Sequence, residues 1–145
     1  MIQEKEKAYG ICVYKIENNI TKILLCKSVS SLQKWGCLKG GMENGETKEE
    51  TALREFYEES SILVDKKYFE KYFEQINNEK DIGIYLVNYK NIVNLEQYFN
   101  NDILKDEYLS SENSKVQFFD ILFLPPIKQK QYKIVEDIVQ YLTKD

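Results

Sequence analysis

Residues 40–62 read GGMENGETKEETALREFYEESSI, and this stretch decides how the rest of the chain is arranged. Two glycines open it. Thr47 and Glu50 follow with the spacing of a capping box, in which each side chain satisfies a free backbone N–H group at a helix start. The pattern therefore predicts a glycine turn and then a helix that begins at Thr47 and ends at Ser60.

The predicted helix carries three carboxylates on one face. Glu55, Glu58 and Glu59 are spaced i, i+3 and i+4, and at about 100° per residue these positions share a face. The residues expected to pack on a sheet point the opposite way: Leu53, Phe56 and Ser60, with Tyr57 close to them. Each like-charge pair costs about 0.2–0.5 kcal/mol, which a hard divalent cation would offset. A solvated charged face is the commoner explanation of such a run, and the helix pattern alone leaves both open.

The spacing of residues 40–62 resembles the Nudix box, G-x5-E-x7-R-E-U-x-E-E-x-G-U, where U is a bulky apolar residue. The residues that match its fixed positions are Gly40, Glu46, Arg54, Glu55, Phe56, Glu58, Glu59 and Ile62. One position departs, because Ser61 stands where the pattern has glycine, the residue that usually supplies a left-handed turn at a helix exit. A pattern that fixes this many positions favours the metal site over the solvated face.

The resemblance implies both a fold and a chemistry. The fold is an α/β (α+β) one, an α/β/α sandwich with a mixed β-sheet, whereas periodicity alone indicates only mixed α and β. The chemistry is hydrolysis of a phosphoanhydride bond in a nucleoside diphosphate derivative. The metal ligands that the resemblance implies, for Mg²⁺ or Mn²⁺, are Glu55, Glu58 and Glu59 with the Gly40 carbonyl. Arg54 and Glu46 are expected to pair and hold the loop against the helix.

Within this set, Glu58 is predicted to take the proton from the attacking water, because it is central in the motif, and Glu59 is the next candidate. The chain contains no histidine, the usual general base and zinc ligand, so acid–base work falls to carboxylates, lysine or tyrosine. Glu107 and Glu112 lie in a polar stretch from which the family often contributes one more carboxylate. We interpret both as solvated surface charges.

Candidate substrate-binding residues lie just before the box, at positions 35 and 39, and after it, at positions 85 and 132. The segment WGCLKGG resembles the approach to the box in diadenosine tetraphosphate hydrolases of the family, with Leu38 where proline is usual. Lys39 is predicted to hold a phosphate, the alternative being an ordinary surface lysine. Trp35 is predicted to stack on a base, although an indole there is as often part of a core. Tyr85 and Tyr132 are further stacking candidates among eleven tyrosines.

Length and composition limit the class of protein. A chain of 145 residues is long enough for one domain with a proper core, here 1–145. The formal net charge is −4, which disfavours binding to long nucleic acids, and no apolar run approaches the roughly 20 residues of a membrane span. The three cysteines, Cys12, Cys26 and Cys37, form no C-x-x-C pair and are expected to be free thiols. We predict a cytoplasmic monomer or homodimer with a small nucleotide as its partner.

The remaining secondary structure follows from periodicity. Predicted strands cover residues 8–16, 21–27, 35–38, 67–76, 82–89 and 115–121, and 67–76 also fits a helix. Residues 94–104 are expected to form a short helix or an insertion beside the active site. A helix over 127–142, with Pro126 in its first turn, closes the chain.

The sequence favours an enzyme and orders its substrates. A Mg²⁺-dependent hydrolase of dinucleoside polyphosphates comes first, a pool-cleansing hydrolase of nucleoside triphosphates second, and an RNA 5′-pyrophosphohydrolase third. The alternative of another class is a non-catalytic module with this fold that senses a nucleotide. A sensor has no reason to keep the whole glutamate set, and the set is complete here.

Overall fold

The computed structural model describes residues 5–31 and 33–144, in which a mixed sheet of eight strands separates two α-helices. The strands are β1 (Glu6–Glu17), β2 (Ile20–Ser28), β3 (Leu38–Gly41), β4 (Lys71–Gln75), β5 (Lys80–Asn88), β6 (Phe99–Asn100), β7 (Ile103–Leu104) and β8 (Asn113–Asp120). The helices are α1 (Lys48–Ser60) and α2 (Tyr132–Thr143). The α/β/α arrangement confirms the predicted fold class.

Strand β1 organises the sheet, whose order is β4-β5-β1-β2-β8-β7-β6 with β3 also paired to β1. On one side β1 runs parallel to β5. On the other side its residues Ala8–Ile11 pair with β3, and its residues Tyr14–Glu17 pair with β2, both antiparallel. Because β1 changes partner halfway along, β3 can end in the glycine turn directly beside the start of α1.

The two faces of the sheet bury separate cores, because successive side chains of a strand point to opposite faces. The first core, on the α1 side, includes Tyr9, Ile11, Val13, Leu24 and Leu38 with Ala52 and Phe56 of α1. The second core, on the α2 side, includes Cys12, Tyr14, Ile23, Leu25 and Ile84 with Ile134, Val135 and Ile138 of α2. This alternation decides which residues of β3 can face the glutamates.

Helix α1 begins as the capping box predicts. The Thr47 hydroxyl accepts from the Glu50 backbone N–H at 3.1 Å, and the Glu50 carboxylate accepts from the Thr47 N–H at 2.8 Å. The prediction that Tyr57 packs on the sheet is wrong, since its side chain is 49% exposed. The buried positions of α1 are 51, 52, 56, 59 and 60; the last four form the i, i+4, i+7, i+8 stripe of a surface helix, and residue 57 falls outside it.

Strands predicted over 8–16, 21–27, 82–89 and 115–121 are present as β1, β2, β5 and β8, with ends that differ by a few residues. The strand predicted over 67–76 is only partly correct, because a 3₁₀ turn at Lys66–Tyr68 precedes β4. The Asp65 carboxylate accepts from the Lys67 N–H at 3.0 Å and so starts that turn. Residues 94–104 contain a 3₁₀ turn, Leu95–Tyr98, and then the β6–β7 hairpin.

Two boundaries differ because residues 35 and 127 pair with each other. Trp35 and Ile127 form an isolated parallel bridge, and Gly36 forms another bridge with Cys26, so the strand predicted over 35–38 starts only at Leu38. For the same reason the last helix begins at Tyr132 rather than at 127, and Pro126 lies before its first turn. No helix within 5–31 and 33–144 is long and apolar enough to cross a membrane.

Ser61 ends α1 in the left-handed conformation, with φ 65° and ψ 12°. A non-glycine residue loses free energy there through its Cβ, so Ser61→Gly is expected to stabilise the protein by about 0.5–1 kcal/mol, measured as a higher urea midpoint. Gly45, with φ 86°, is the matched control, and Gly45→Ser is expected to destabilise by a similar amount. A lower midpoint for Ser61→Gly would contradict this account of the helix exit.

Candidate active site

The end of β3 touches the middle of α1 at Gly40. A Cβ atom built on Gly40 would coincide with the carboxylate of Glu55, so only glycine leaves room for this carboxylate against the strand. Gly41, one residue further on, has open space in the same test. The contact fixes where the glutamate face of α1 meets the sheet.

Arg54 and Glu46 hold the glycine turn and its loop against α1. The Arg54 guanidinium donates to Glu46 from Nε at 2.6 Å and from a terminal nitrogen at 3.0 Å, and that terminal nitrogen also donates to the Gly41 carbonyl at 2.9 Å. The Glu46 carboxylate also accepts from the Thr51 hydroxyl and the Glu43 N–H, both at 2.9 Å. These donors, the Arg54 guanidinium first, lower the pKa of Glu46 to about 2. The loop is therefore tied to the helix by a charge-assisted bidentate pair.

The other terminal nitrogen of Arg54 bridges two glutamates of the carboxylate face. It donates to Glu58 at 2.9 Å and to Glu55 at 3.4 Å. This arrangement relieves part of the like-charge repulsion inside the protein itself. Within the described ranges, no three or more His, Cys, Asp or Glu side chains are grouped to hold a metal ion. Because Glu58 is 53% exposed, its carboxylate has room to turn away from Arg54 towards an ion.

Glu59 is the buried member of the face, with 7% of its surface exposed. Its Oε1 atom accepts from the Asn113 side-chain amide at 3.1 Å, whereas its Oε2 atom is buried and has no hydrogen-bond partner in the described residues. The pKa of Glu59 is raised to about 7, mainly by burial and also by the Glu55 charge, and against the opposing effects of the Asn113 hydrogen bond and the Lys39 charge. Burial also raises the pKa of Glu55, with the Glu58 charge next in effect.

The chemistry of these residues fits a divalent cation. A buried carboxylate oxygen without a partner is costly, and a cation would satisfy it. All the side-chain donors of the face are oxygens, which suit a hard ion such as Mg²⁺ or Mn²⁺. Gly40 leaves the Glu55 carboxylate room to sit beside the strand. To hold the ion, Glu58 and Glu55 would exchange their contacts with Arg54 for contacts with the ion.

Lys39 lies beside Gly40 but points to the other face of the sheet. It pairs with Gly10, and alternation along β3 directs Leu38 to the first core and Lys39 to the α2 side. Burial lowers the pKa of Lys39, and the positive charges of Lys80 and Lys128 lower it further. Lys39 forms no salt bridge within the part of the chain that the structure describes.

Of the predicted stacking residues, Trp35 and Tyr132 lie across the sheet from the glutamates, and Tyr85 lies on the α1 side. Trp35 is 7% exposed in the second core, where its ring meets the edge of Phe119 at a centroid distance of 4.7 Å. Tyr85 is half-buried on the α1 side and already stacks on Phe69 at 4.3 Å. Tyr132, the first residue of α2, has 54% of its side chain exposed. The structure thus brings together the residues of the box and places Trp35 and Tyr132 on the opposite side of the sheet from them.

Three polar residues were missed or undervalued by sequence reasoning. Asn113 reaches Glu59 from the start of β8, and Gln131 accepts from the Cys37 N–H at 2.8 Å and packs against Gly36. Glu112 is exposed, as predicted, and its charge raises the pKa of both Glu55 and Glu59. Glu107 is exposed. No local pattern indicates these contacts, because they join residues far apart in the chain.

The raised pKa of Glu59 predicts a pH dependence. A carboxyl group with a raised folded-state pKa binds its proton more tightly when folded, so the metal-free protein is expected to lose stability as pH rises from about 4.5 to about 7. The loss is on the order of 3 kcal/mol, with Glu55 contributing in the same direction. The lowered pKa of Glu46 has the opposite effect on stability, at lower pH, and the chain has no histidine to titrate between about pH 4.5 and 7.

Urea unfolding in EDTA across this pH range measures the effect, and Glu59→Gln serves as the matched variant. The variant is expected to lose most of the slope between about pH 4.5 and 7. If the slope of Glu59→Gln equals that of the wild type, Glu59 has the same pKa in the folded protein as in the unfolded chain.

A helix entered through a glycine turn, with a carboxylate face on one side of a mixed sheet, defines a hydrolase of the Nudix type. The NUDIX domain model matches residues 6–138, and the chain belongs to this family. Nudix hydrolases generally use divalent metal ions. No curated protein sequence matches the chain.

Solved structures share this fold. A Caenorhabditis elegans Ap4A hydrolase in a binary complex has a TM-score of 0.61 and 18% identity over 95% of both chains. The NUDIX domain of Shewanella oneidensis NrtR with ADP-ribose has a TM-score of 0.70 and 14% identity, over 98% of this chain and 91% of that one. An ADP-ribose pyrophosphatase from Streptococcus suis has a TM-score of 0.60 and 12% identity, over 98% and 95%. At these identities the likeness is one of fold, and the ligands named differ.

Proposed function

We propose that this protein is a Mg²⁺-dependent hydrolase that cleaves a phosphoanhydride bond in a nucleoside diphosphate derivative, with a dinucleoside polyphosphate such as diadenosine tetraphosphate as the leading substrate. The observation that carries the proposal is the carboxylate face of α1, with the buried, unpartnered Oε2 of Glu59 and the Glu55 carboxylate seated on Gly40. If the carboxylates only formed a solvated face, their oxygens would contact water, and none would be buried without a hydrogen-bond partner.

The residues that would hold Mg²⁺, or Mn²⁺ in its place, are Glu55, Glu58 and Glu59 with the Gly40 carbonyl. The ion supplies positive charge that offsets the repulsion between the phosphates and a nucleophile, and it helps to activate water. Glu58 is the proposed base, since it is the most exposed carboxylate of the three and can reach solvent water. Glu59, the neighbouring carboxylate on the same helix, is the second candidate.

The protein contributes positioning around this centre. Arg54 and Glu46 hold the loop through a bidentate pair, which keeps the Gly40 and Gly41 backbone in place beside α1. Lys39 remains the proposed phosphate ligand: its side chain leaves β3 on the α2 side, so a phosphate chain would pass the end of the strand to reach it, and its charge is close enough to lower the pKa of Glu59. Its side chain is half-buried, and its positive charge is destabilised by burial and by Lys80, so an anionic phosphate nearby would stabilise it. Most of the rate enhancement would come from such positioning and electrostatics.

Among the aromatic candidates, Tyr132 has the ring that is free to receive a base. Its side chain is 54% exposed, whereas Trp35 is buried against Phe119 and Tyr85 is stacked on Phe69. Stacking on Trp35 or Tyr85 would require one of these contacts to open. We therefore propose Tyr132 as the candidate with the most accessible ring, at the start of α2 across the sheet from the carboxylates, and Tyr85 as the candidate on the α1 side, with Trp35 after them.

We also propose a cytoplasmic location and a monomer or homodimer. The three cysteines are free, as predicted, and all are buried; free thiols are typical of a reducing compartment. Burial raises the pKa of the Cys37 thiol to about 12, which keeps it protonated and unreactive.

The products of diadenosine tetraphosphate test the substrate. Asymmetric cleavage to ATP and AMP is expected, because carboxylates that bind the metal on one side of the site would promote cleavage of one anhydride bond. Chromatography of the products formed in the presence of Mg²⁺ measures the result. ADP as the only product would indicate symmetric cleavage. If a deoxynucleoside triphosphate is instead cleaved to its monophosphate and pyrophosphate, the pool-cleansing alternative is correct. Release of pyrophosphate from 5′-triphosphate RNA would favour the third alternative, an RNA 5′-pyrophosphohydrolase. Specific binding of a nucleotide without cleavage in Mg²⁺ would favour the sensing module.

A further inference from the structure

Asn113 makes a contact in the site that the box does not contain. It is the first residue of β8, it is 5% exposed, and its Nδ2 atom donates to Oε1 of Glu59 at 3.1 Å. The two residues are 54 positions apart in the sequence. Both side chains are therefore withdrawn from water and held against each other by the packing of α1 on the sheet.

The backbone around Asn113 gives the amide a defined place. Asn113 pairs with Ser28 beyond a register shift between Lys27 and Ser28, so the start of β8 departs from the regular ladder. Its N–H donates to the Ser110 carbonyl at 3.2 Å, and the Glu112 carbonyl accepts from Val29. This irregular junction directs a side chain at the strand start towards α1.

The contact is incomplete as a purely structural pair. Asn113 occupies only Oε1 of Glu59, and the buried Oε2 has no partner in the described residues. A pair selected only for stability would satisfy both oxygens or replace them with apolar groups, because an unsatisfied buried charge is expensive. With Oε1 fixed, the rotation of the carboxylate is fixed too, and Oε2 is the atom left for a cation.

We propose that Asn113 is a positioning residue that orients Glu59 so that its Oε2 atom is presented to a divalent ion. The inference rests on the proposed function, since it requires that the carboxylate face binds a divalent cation. Groups that hydrogen-bond to a metal ligand typically change metal affinity about 10–100-fold when they are removed. Asn113 acts through Glu59 and needs no contact with the substrate.

Mn²⁺ binding tests this directly, because free Mn²⁺ in solution has a resolved electron paramagnetic resonance signal that decreases on binding. Two variants remove the amide: Asn113→Ala, which leaves space, and Asn113→Leu, which keeps the volume. Both are expected to bind Mn²⁺ about 10–100-fold more weakly than the wild type. In turnover assays, the Mg²⁺ concentration for half-maximal rate should rise while kcat at saturating Mg²⁺ stays close to that of the wild type.

Asn88→Ala is the matched control, because Asn88 also donates a side-chain hydrogen bond, to the Tyr14 hydroxyl at 3.0 Å. Its Mn²⁺ affinity should equal that of the wild type. Wild-type affinity in both Asn113 variants would overturn this inference and leave the proposed function intact, and loss of the fold in both would show a structural residue and overturn it too. If the wild-type protein itself binds no Mn²⁺, both the inference and the proposed function are overturned.

Discussion

Glu58→Gln is expected to keep the fold and to lose about 10²–10⁴-fold of the Mg²⁺-dependent turnover. The amide retains the shape of Glu58 and an oxygen that can accept the 2.9 Å hydrogen bond from Arg54. It loses the negative charge that an ion requires and the basicity that proton transfer requires. Because the side chain is 53% exposed, little desolvation accompanies the change, and the melting temperature should stay close to that of the wild type.

Steady-state assays with Mg²⁺ measure this effect, with Glu49→Gln as the control. Glu49 lies in the first turn of the same helix, six residues before Glu55, so its substitution should leave turnover unchanged. A Glu58→Gln variant with the wild-type rate would remove both assignments of Glu58, as a metal ligand and as the base.

Gly40→Ala is the second substitution with a large expected effect. The new methyl group would coincide with the Glu55 carboxylate, so either the carboxylate or β3 must move. Overpacking of this kind typically costs about 1–3 kcal/mol of stability, and displacing a catalytic group by about 1 Å can cost on the order of 10²-fold in rate. The variant should therefore melt at a lower temperature and turn over far more slowly.

Gly41→Ala is the matched control, because a Cβ atom at Gly41 has no other atom within 4 Å. Calorimetry and turnover assays on the two variants separate a steric effect at Gly40 from a general effect of adding a methyl group in this turn. Equal behaviour of the two variants would contradict the contact between Gly40 and Glu55.

Features that depend on neighbours along the chain could be predicted from the sequence. The capping box of Thr47 and Glu50 is a local pair, and the shared face of the glutamates follows from helix spacing alone. The strands β1, β5 and β8 follow from runs of β-branched and aromatic residues. In each of these cases local preference and the final fold agree.

Features that depend on distant partners could not be predicted in this way. The bridge between Trp35 and Ile127 removes five residues from the predicted last helix and buries the indole, although nothing near either residue indicates the pairing. The burial of Glu59 depends on which stripe of α1 meets the sheet, and its bond to Asn113 depends on where β8 starts. Such contacts are set by the packing of elements, which one sequence does not display.

The measurement that tests the central claim most directly is turnover of a nucleotide panel by the wild-type protein, in Mg²⁺ and in EDTA. The panel includes dinucleoside polyphosphates, nucleoside triphosphates, ADP-ribose and 5′-triphosphate RNA, and chromatography resolves the products. We expect at least one compound to be cleaved at a phosphoanhydride bond in Mg²⁺ and none to be cleaved in EDTA. Binding of a panel member without cleavage in either condition, or cleavage that EDTA does not affect, would contradict the account.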